Sequence, residues 1–99
     1  MKVTHRKAIE ALQLGVSRFI GKRDQVISHY LHLEGGYTEH IKVWLYHGNM
    51  IAKVESNGKT YVSWQGWFTQ STSERINALA DYFNLPRPEK REGWVELTA

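Results

Sequence analysis

Two glycine-containing turn pairs nine residues apart, Gly48-Asn49 and Asn57-Gly58, constrain the fold of this chain more than any other feature. Before them, Ile41, Val43 and Leu45 alternate with His40, Lys42, Trp44 and Tyr46, the period-two mark of a strand. Gly48-Asn49 reads as a two-residue turn of the primed type, and Met50 to Glu55 as the return strand. Asn57-Gly58 supplies a second tight turn, and Lys59 to Trp64 a third strand. The result is an antiparallel meander from about Thr38 to Phe68.

Tight turns fix register. Leu45 is expected opposite Ala52, Val43 opposite Val54, Val54 opposite Tyr61, and Ala52 opposite Ser63. One face then carries Val43, Leu45, Ala52, Val54, Tyr61 and Ser63, small and aliphatic enough to receive helices. The other carries Trp44, Tyr46, Ile51, Lys53, Val62 and Trp64. A slip of one residue would exchange the two faces.

The flanks supply the helices. Ile9, Leu12, Val16, Phe19 and Ile20 recur at three- and four-residue spacing, predicting a helix from about Thr4 to Ile20 with Thr4 as its cap and Gly21 as its end. Val26 to Leu33 reads as a strand broken by Glu34-Gly35-Gly36. Gly66 marks a bend or bulge. Ser71 to Glu74 has the spacing of a capping box, and the helix after it would bury Ile76, Leu79, Ala80 and Phe83 until Pro86 stops it. Leu85 to Glu92 reads as a connector and Trp94 to Leu97 as a short edge strand. The expected order is α-β-β-β-β-α-β, a single α+β domain over residues 1–99.

Such a chain builds one core and has little room for a deep cavity as well. It has no cysteine, so disulfides and thiolate metal sites are excluded. No apolar run approaches the roughly 18 residues that span a bilayer, and the basic N-terminal stretch lacks the apolar run of a signal peptide. A cytoplasmic protein is expected, a monomer or homodimer. The net charge of +3 is uneven: Lys2, Arg6, Lys7, Arg18, Lys22 and Arg23 face a single acid, Glu10, within residues 1–23. That basic patch could steer nucleic acid or an acidic partner, or could simply solvate a helix face.

The sequence carries no catalytic pattern. His29 and His32 are three apart on a predicted strand and point to opposite faces, as His40 and His47 do, so neither pair suits joint metal ligation. Ser71 is better explained as a cap than as a nucleophile, and Glu89 and Glu92 as solvated charge. Asn57-Gly58-Lys59 is a hairpin turn rather than a phosphate loop. The expectation is a non-enzyme with no metal and no cofactor.

Aromatic residues are the richest feature, with four Trp, five Tyr and three Phe. Trp44, Tyr46 and Trp64 are expected on one sheet face beside Lys53, with Trp67 close in sequence. Such a cluster can pack under a helix, anchor a protein partner, or stack unpaired bases. Those five residues are the candidate partner-binding set.

One resemblance adds provenance. Leu45-Tyr46-His47-Gly48-Asn49-Met50-Ile51-Ala52, then Val62-Ser63, Gly66-Trp67-Phe68-Thr69, Ser71-Thr72 and Arg75-Ile76-Asn77-Ala78-Leu79 resemble a group of small tailed-phage proteins. In that group a "LYGN-IA" hairpin precedes "VS-AGW-T-TT-K-RLNAL". The resemblance covers about a third of the chain. Gln65 stands where the group has alanine, Ser73-Glu74 replace a lysine-containing step, and Ile76 replaces leucine. It implies a phage protein made in a bacterial cytoplasm that binds and inhibits a host or anti-phage defence component. The alternative is a nucleic-acid-binding protein that uses the basic N-terminal helix and an aromatic sheet face.

Overall fold

The structure, a computed structural model, describes residues 1–32, 34–36 and 38–99. Helix α1 (Val3–Leu14) leads into strands β1 (Arg18–Phe19) and β2 (Asp24–His32). After a 3-10 turn at Glu34–Gly36 come β3 (Thr38–Tyr46), β4 (Asn49–Val54) and β5 (Thr60–Val62). Helix α2 (Gln70–Tyr82) and strand β6 (Val95–Glu96) complete an α+β domain. The six strands form one antiparallel sheet in chain order. Leu33, the expected last residue of the second strand, lies outside the described residues.

The first helix ends earlier than its periodicity suggests. Gly15 adopts the left-handed conformation (φ 67°), and the Gly15 and Val16 N–H groups donate to the Leu12 and Ala11 carbonyls. This Schellman-type cap satisfies the last carbonyls, so the apolar spacing beyond it is not helical. Val16 and Phe19 are exposed instead of buried, and Arg18–Phe19 pairs with Val26 and Gln25 as a sheet edge. Thr4 is not the cap either; Lys2 holds that position without a side-chain bond.

Both turns differ from expectation by one residue. The β3–β4 turn is His47-Gly48, with φ of 51° and 77°, and Tyr46 pairs with Asn49. A bulge follows: Leu45 pairs with Met50 but Trp44 with Ala52, leaving Ile51 extra. At the β4–β5 turn, Glu55 N–H donates to the Lys59 carbonyl (3.0 Å) and Gly58 N–H to the Glu55 carbonyl (2.9 Å). That makes a three-residue loop with Gly58 left-handed (φ 84°), rather than a two-residue turn. Val54 accordingly pairs with Thr60, Lys53 with Tyr61 and Ala52 with Val62.

These shifts redraw both faces. Val26, Trp44, Tyr46, Ala52 and Val62 share the side that joins Ala8, Ile9, Leu12, Ile76 and Leu79 of the helices in the core. Val43, Leu45, Lys53 and Tyr61 lie on the opposite side. Each predicted set is therefore split. The choice of register follows from size: an aromatic ring buries about 150–250 Å², so the arrangement that encloses the large aromatics is favoured over one enclosing alanine and serine.

Helix α2 is capped by Thr69, whose hydroxyl accepts from Thr72 N–H (3.2 Å), and not by Ser71. Ile76, Leu79 and Ala80 are buried as expected, but Phe83 is exposed. The helix ends at Tyr82, ahead of a left-handed Asn84 (φ 55°) and of Pro86. The expected edge strand at Trp94–Leu97 appears as β6, and Leu97 is buried.

A buried ion pair binds α2 to the sheet. Asp24 Oδ1 accepts from Arg75 Nε (2.7 Å) and from the Trp44 indole (3.0 Å), and Oδ2 accepts from Arg75 Nη2 (2.9 Å). The guanidinium also lies 3.8 Å from the Tyr46 ring centre. Burial alone would raise the Asp24 carboxyl, but the Arg75 and Trp44 hydrogen bonds and the Arg75 charge hold it below the usual carboxylate range. His5, edge-on to Trp44, is pushed below its ordinary value by burial and then by the Arg75 charge.

Three stability outcomes follow. Asp24→Ala leaves a largely buried guanidinium without its carboxylate and is expected to cost about 3–5 kcal/mol in urea unfolding. Gly15→Ala forces a left-handed alanine and should cost about 1–2 kcal/mol by the same measurement. Both Asp24 and His5 have depressed folded pKa values, so their contributions are complete above the unfolded values of 3.8 and 6.5 and are lost as pH falls. The urea midpoint should decline first below about pH 6.5 and again below about pH 4, and His5→Gln should remove the first decline only.

Candidate functional site

The candidate aromatic residues separate into buried and exposed groups. Trp44 and Trp64 are 0% and 1% exposed, and Tyr46 is also buried. The Trp64 indole donates to Ser73 Oγ (3.0 Å), so both buried indoles have hydrogen-bond acceptors. These three residues are core, not a surface for a partner. Lys53 does not accompany them: it lies on the opposite face, 4.5 Å from the Trp94 ring centre and 3.9 Å from a Glu55 carboxylate oxygen.

Trp67 alone of the candidate aromatics is open, at 61% exposure. A turn made by Gln65 and Gly66, both at positive φ, places it there, with Trp67 N–H donating to the Trp64 carbonyl (2.8 Å). The indole therefore projects from the turn that carries the chain from β5 to α2.

The basic residues are all exposed, but they do not form one patch along a helix. Arg6 and Lys7 are on α1, Arg18 is on the β1 edge, and Lys22 and Arg23 occupy the β1–β2 turn. Lys2 reaches α2, where it pairs with Glu74 (3.2 Å). Three hollows converge near the turn. One, of about 280 Å³, is bordered by Lys2, His5, Lys22, Arg23, Asp24 and Arg75. The next, of about 300 Å³, adds Phe19 and His47 to Lys22 and Arg23. The third, of about 390 Å³, lies between Tyr46, His47, Asn49, Trp67, Thr69 and Ser71.

This end of the molecule therefore combines cations with two exposed aromatic side chains, Trp67 and the 76% exposed Phe19. Among the described residues no ion pair holds Lys22 or Arg23. Asp24, the carboxylate nearest them in the chain, is occupied by Arg75. Phe19 and His47 are not candidates from sequence alone: the spacing of Phe19 suits a buried helical stripe, and His47 continues the alternation of a strand. The pair His47-Gly48 was the available signal, since a primed turn can start one residue earlier than Gly48-Asn49.

A second unanticipated group lies at the far end of β2 and β3. Ser28 Oγ is hydrogen-bonded to His40 Nε2, and His40 stacks on Tyr30 with ring centres 4.6 Å apart. Only the cross-strand register brings these residues together. Among the described residues no carboxylate hydrogen-bonds to the imidazole, so no third group orients it as in a nucleophilic triad. Among the described residues, too, no three metal-ligating side chains gather.

The buried and exposed indoles should behave oppositely on truncation. Trp64→Ala is expected to cost about 3–5 kcal/mol in chemical denaturation, whereas Trp67→Ala should stay within about 0.5 kcal/mol of the parent protein.

The family model of the Kyanoviridae Gp96 protein, a phage protein family, matches residues 3–91. No curated protein and no solved structure matches the chain.

Proposed function

The chain belongs to the Kyanoviridae Gp96 protein family, and we propose that it is a non-enzymatic interaction protein that binds and inhibits a bacterial host or anti-phage defence component. The observation that carries this reading is the end surface on which Phe19 and Trp67 flank Lys22, Arg23 and His47. Exposed tryptophan and arginine are the side chains most enriched at binding hot spots. Cations without carboxylate partners raise the encounter rate with an acidic surface and fix its orientation. The matching partner is a host-cytoplasm protein that presents acidic residues around an apolar anchor. Among the described residues no helix is long and apolar enough to cross a membrane.

The nucleic-acid alternative loses its sheet-face platform, because Trp44, Tyr46 and Trp64 are core residues. Its basic component remains exposed. The two readings differ in salt response, since phosphate neutralisation makes affinity fall steeply with salt while a largely apolar interface responds little.

Tagged protein incubated with bacterial lysate, with and without nuclease, should retain a specific protein that resists nuclease and moderate salt. Trp67→Ala and Arg23→Glu should each reduce retention at least tenfold, in line with loss of a hot-spot residue. Retention abolished by nuclease, or unchanged in both variants, would count against the proposal. A gel shift at two salt concentrations with single- and double-stranded DNA and RNA tests the alternative, and no shift at low salt would sink it.

A further inference from the structure

The two hollows that share His47 differ in chemistry in a way that matches the two ends of one ligand. The larger, about 390 Å³, has aromatic walls in Tyr46 and Trp67 and polar groups from Asn49 and Ser71. Among the described residues no carboxylate lines it. Its volume falls within the roughly 300–1,000 Å³ of small-molecule sites. Tyr46 is held in place from behind, because the Arg75 guanidinium lies 3.8 Å from its ring centre. Trp67 presents an open indole to the same hollow. Among the described residues neither the Asn49 amide nor the Ser71 hydroxyl is committed to another side chain.

The smaller hollow, about 300 Å³, is cationic, with Lys22 and Arg23 on its wall. Asp24 also borders it, but both carboxylate oxygens are bonded to Arg75. The hollows are held side by side, since His47 N–H donates to the Arg23 carbonyl (2.8 Å). A stacking wall with amide and hydroxyl groups beside a cationic recess suits a planar heterocycle joined to a phosphate.

We propose that this end of the protein binds a nucleotide, its base stacked on Trp67 in the larger hollow and its phosphate held by Lys22 and Arg23 in the smaller. Base stacking on an exposed aromatic is tolerant of base identity, because every base offers a π-face. Asn49 and Ser71 supply hydrogen bonds to the base edge or the sugar. The site is defined by this chain alone and stands whether or not a protein partner also docks at this end.

The test is a titration of the full-length, isotopically labelled protein followed by NMR, with the four nucleoside monophosphates, adenosine, inorganic phosphate and a ten-nucleotide single strand as probes. Nucleotides are expected to move the Trp67 indole signal together with the His47 and Asn49 amides. Phosphate alone should move only the signals around Lys22 and Arg23. Trp67→Ala should weaken nucleotide binding at least fivefold, the low end of a single stacking contact, while Trp67→Phe retains most of it. Arg23→Glu should weaken AMP but not adenosine. A strand that binds more than tenfold tighter than the monophosphates assigns the ligand to nucleic acid, and equal or weaker binding assigns it to free nucleotides. No shift of Trp67 or His47 at millimolar nucleotide, or shifts confined to Arg6, Lys7 and Arg18, would overturn the proposal. Loss of nucleotide binding with retention of a protein partner in the pull-down would separate this inference from the proposed function.

Discussion

The carboxylate of Asp24 is the point at which helix α2, the sheet and the buried aromatic residues are tied together. It is almost fully buried, yet it accepts from both nitrogens of a guanidinium fork and from an indole. Each partner comes from a different element: Asp24 opens β2, Trp44 lies in β3 and Arg75 lies one turn into α2. The guanidinium then covers Tyr46, two residues along β3 from Trp44. A buried ion pair contributes little net stability against an apolar replacement, but breaking it leaves a charge that the interior cannot solvate. Its effect is on specificity. The fork ties α2 to the start of β2, and a one-residue slip of β3 would turn Trp44 and Tyr46 away from Arg75.

That dependence explains which parts of the fold were legible in the sequence. Element type followed from periodicity, because alternation in Ile41–Tyr46 and three-four spacing around Ile9–Leu12 and Ile76–Leu79 each admit one local structure. Register did not. His47-Gly48 and Gly48-Asn49 both satisfy a two-residue turn, and Asn57-Gly58 serves a three-residue loop as readily as a two-residue one. Local turn chemistry is degenerate to one residue, while side-chain direction inverts with one residue. The competing registers are separated by tertiary terms, namely burial of the two indoles and the Asp24–Arg75 contact between residues 51 positions apart. The end of α1 failed for a related reason. Apolar spacing continued past Gly15, but a left-handed glycine satisfied the terminal carbonyls first.

The same shift decides which candidate residues can meet another molecule. Trp44, Tyr46 and Trp64 were correctly grouped by the sequence, yet grouping does not say which side of the sheet is covered. Burying them strips the aromatic sheet face of a binding role and assigns it a structural one. Trp67 escapes because it follows a turn rather than a strand, so its side chain is not governed by the pleat. Of the basic residues, Lys22 and Arg23 gain a shared setting that their sequence neighbours lack, since their turn faces the His47 turn across the start of β2.

What remains open at the surface is then a consequence of how the interior is satisfied. Asp24 is the acid adjacent in sequence to Lys22 and Arg23, and in a chain with only local contacts it would neutralise one of them. Arg75 takes both of its oxygens instead. The pairing that locks α2 to the sheet thus leaves positive charge unbalanced at the turn beside it. Glu74, the next acid in that region, is drawn to Lys2. A cationic recess beside an exposed indole is therefore built into the folding solution itself. Substituting Asp24 would disturb surface charge and core together, so the binding role proposed for this end has to be tested at Trp67 and Arg23, whose side chains the core does not use.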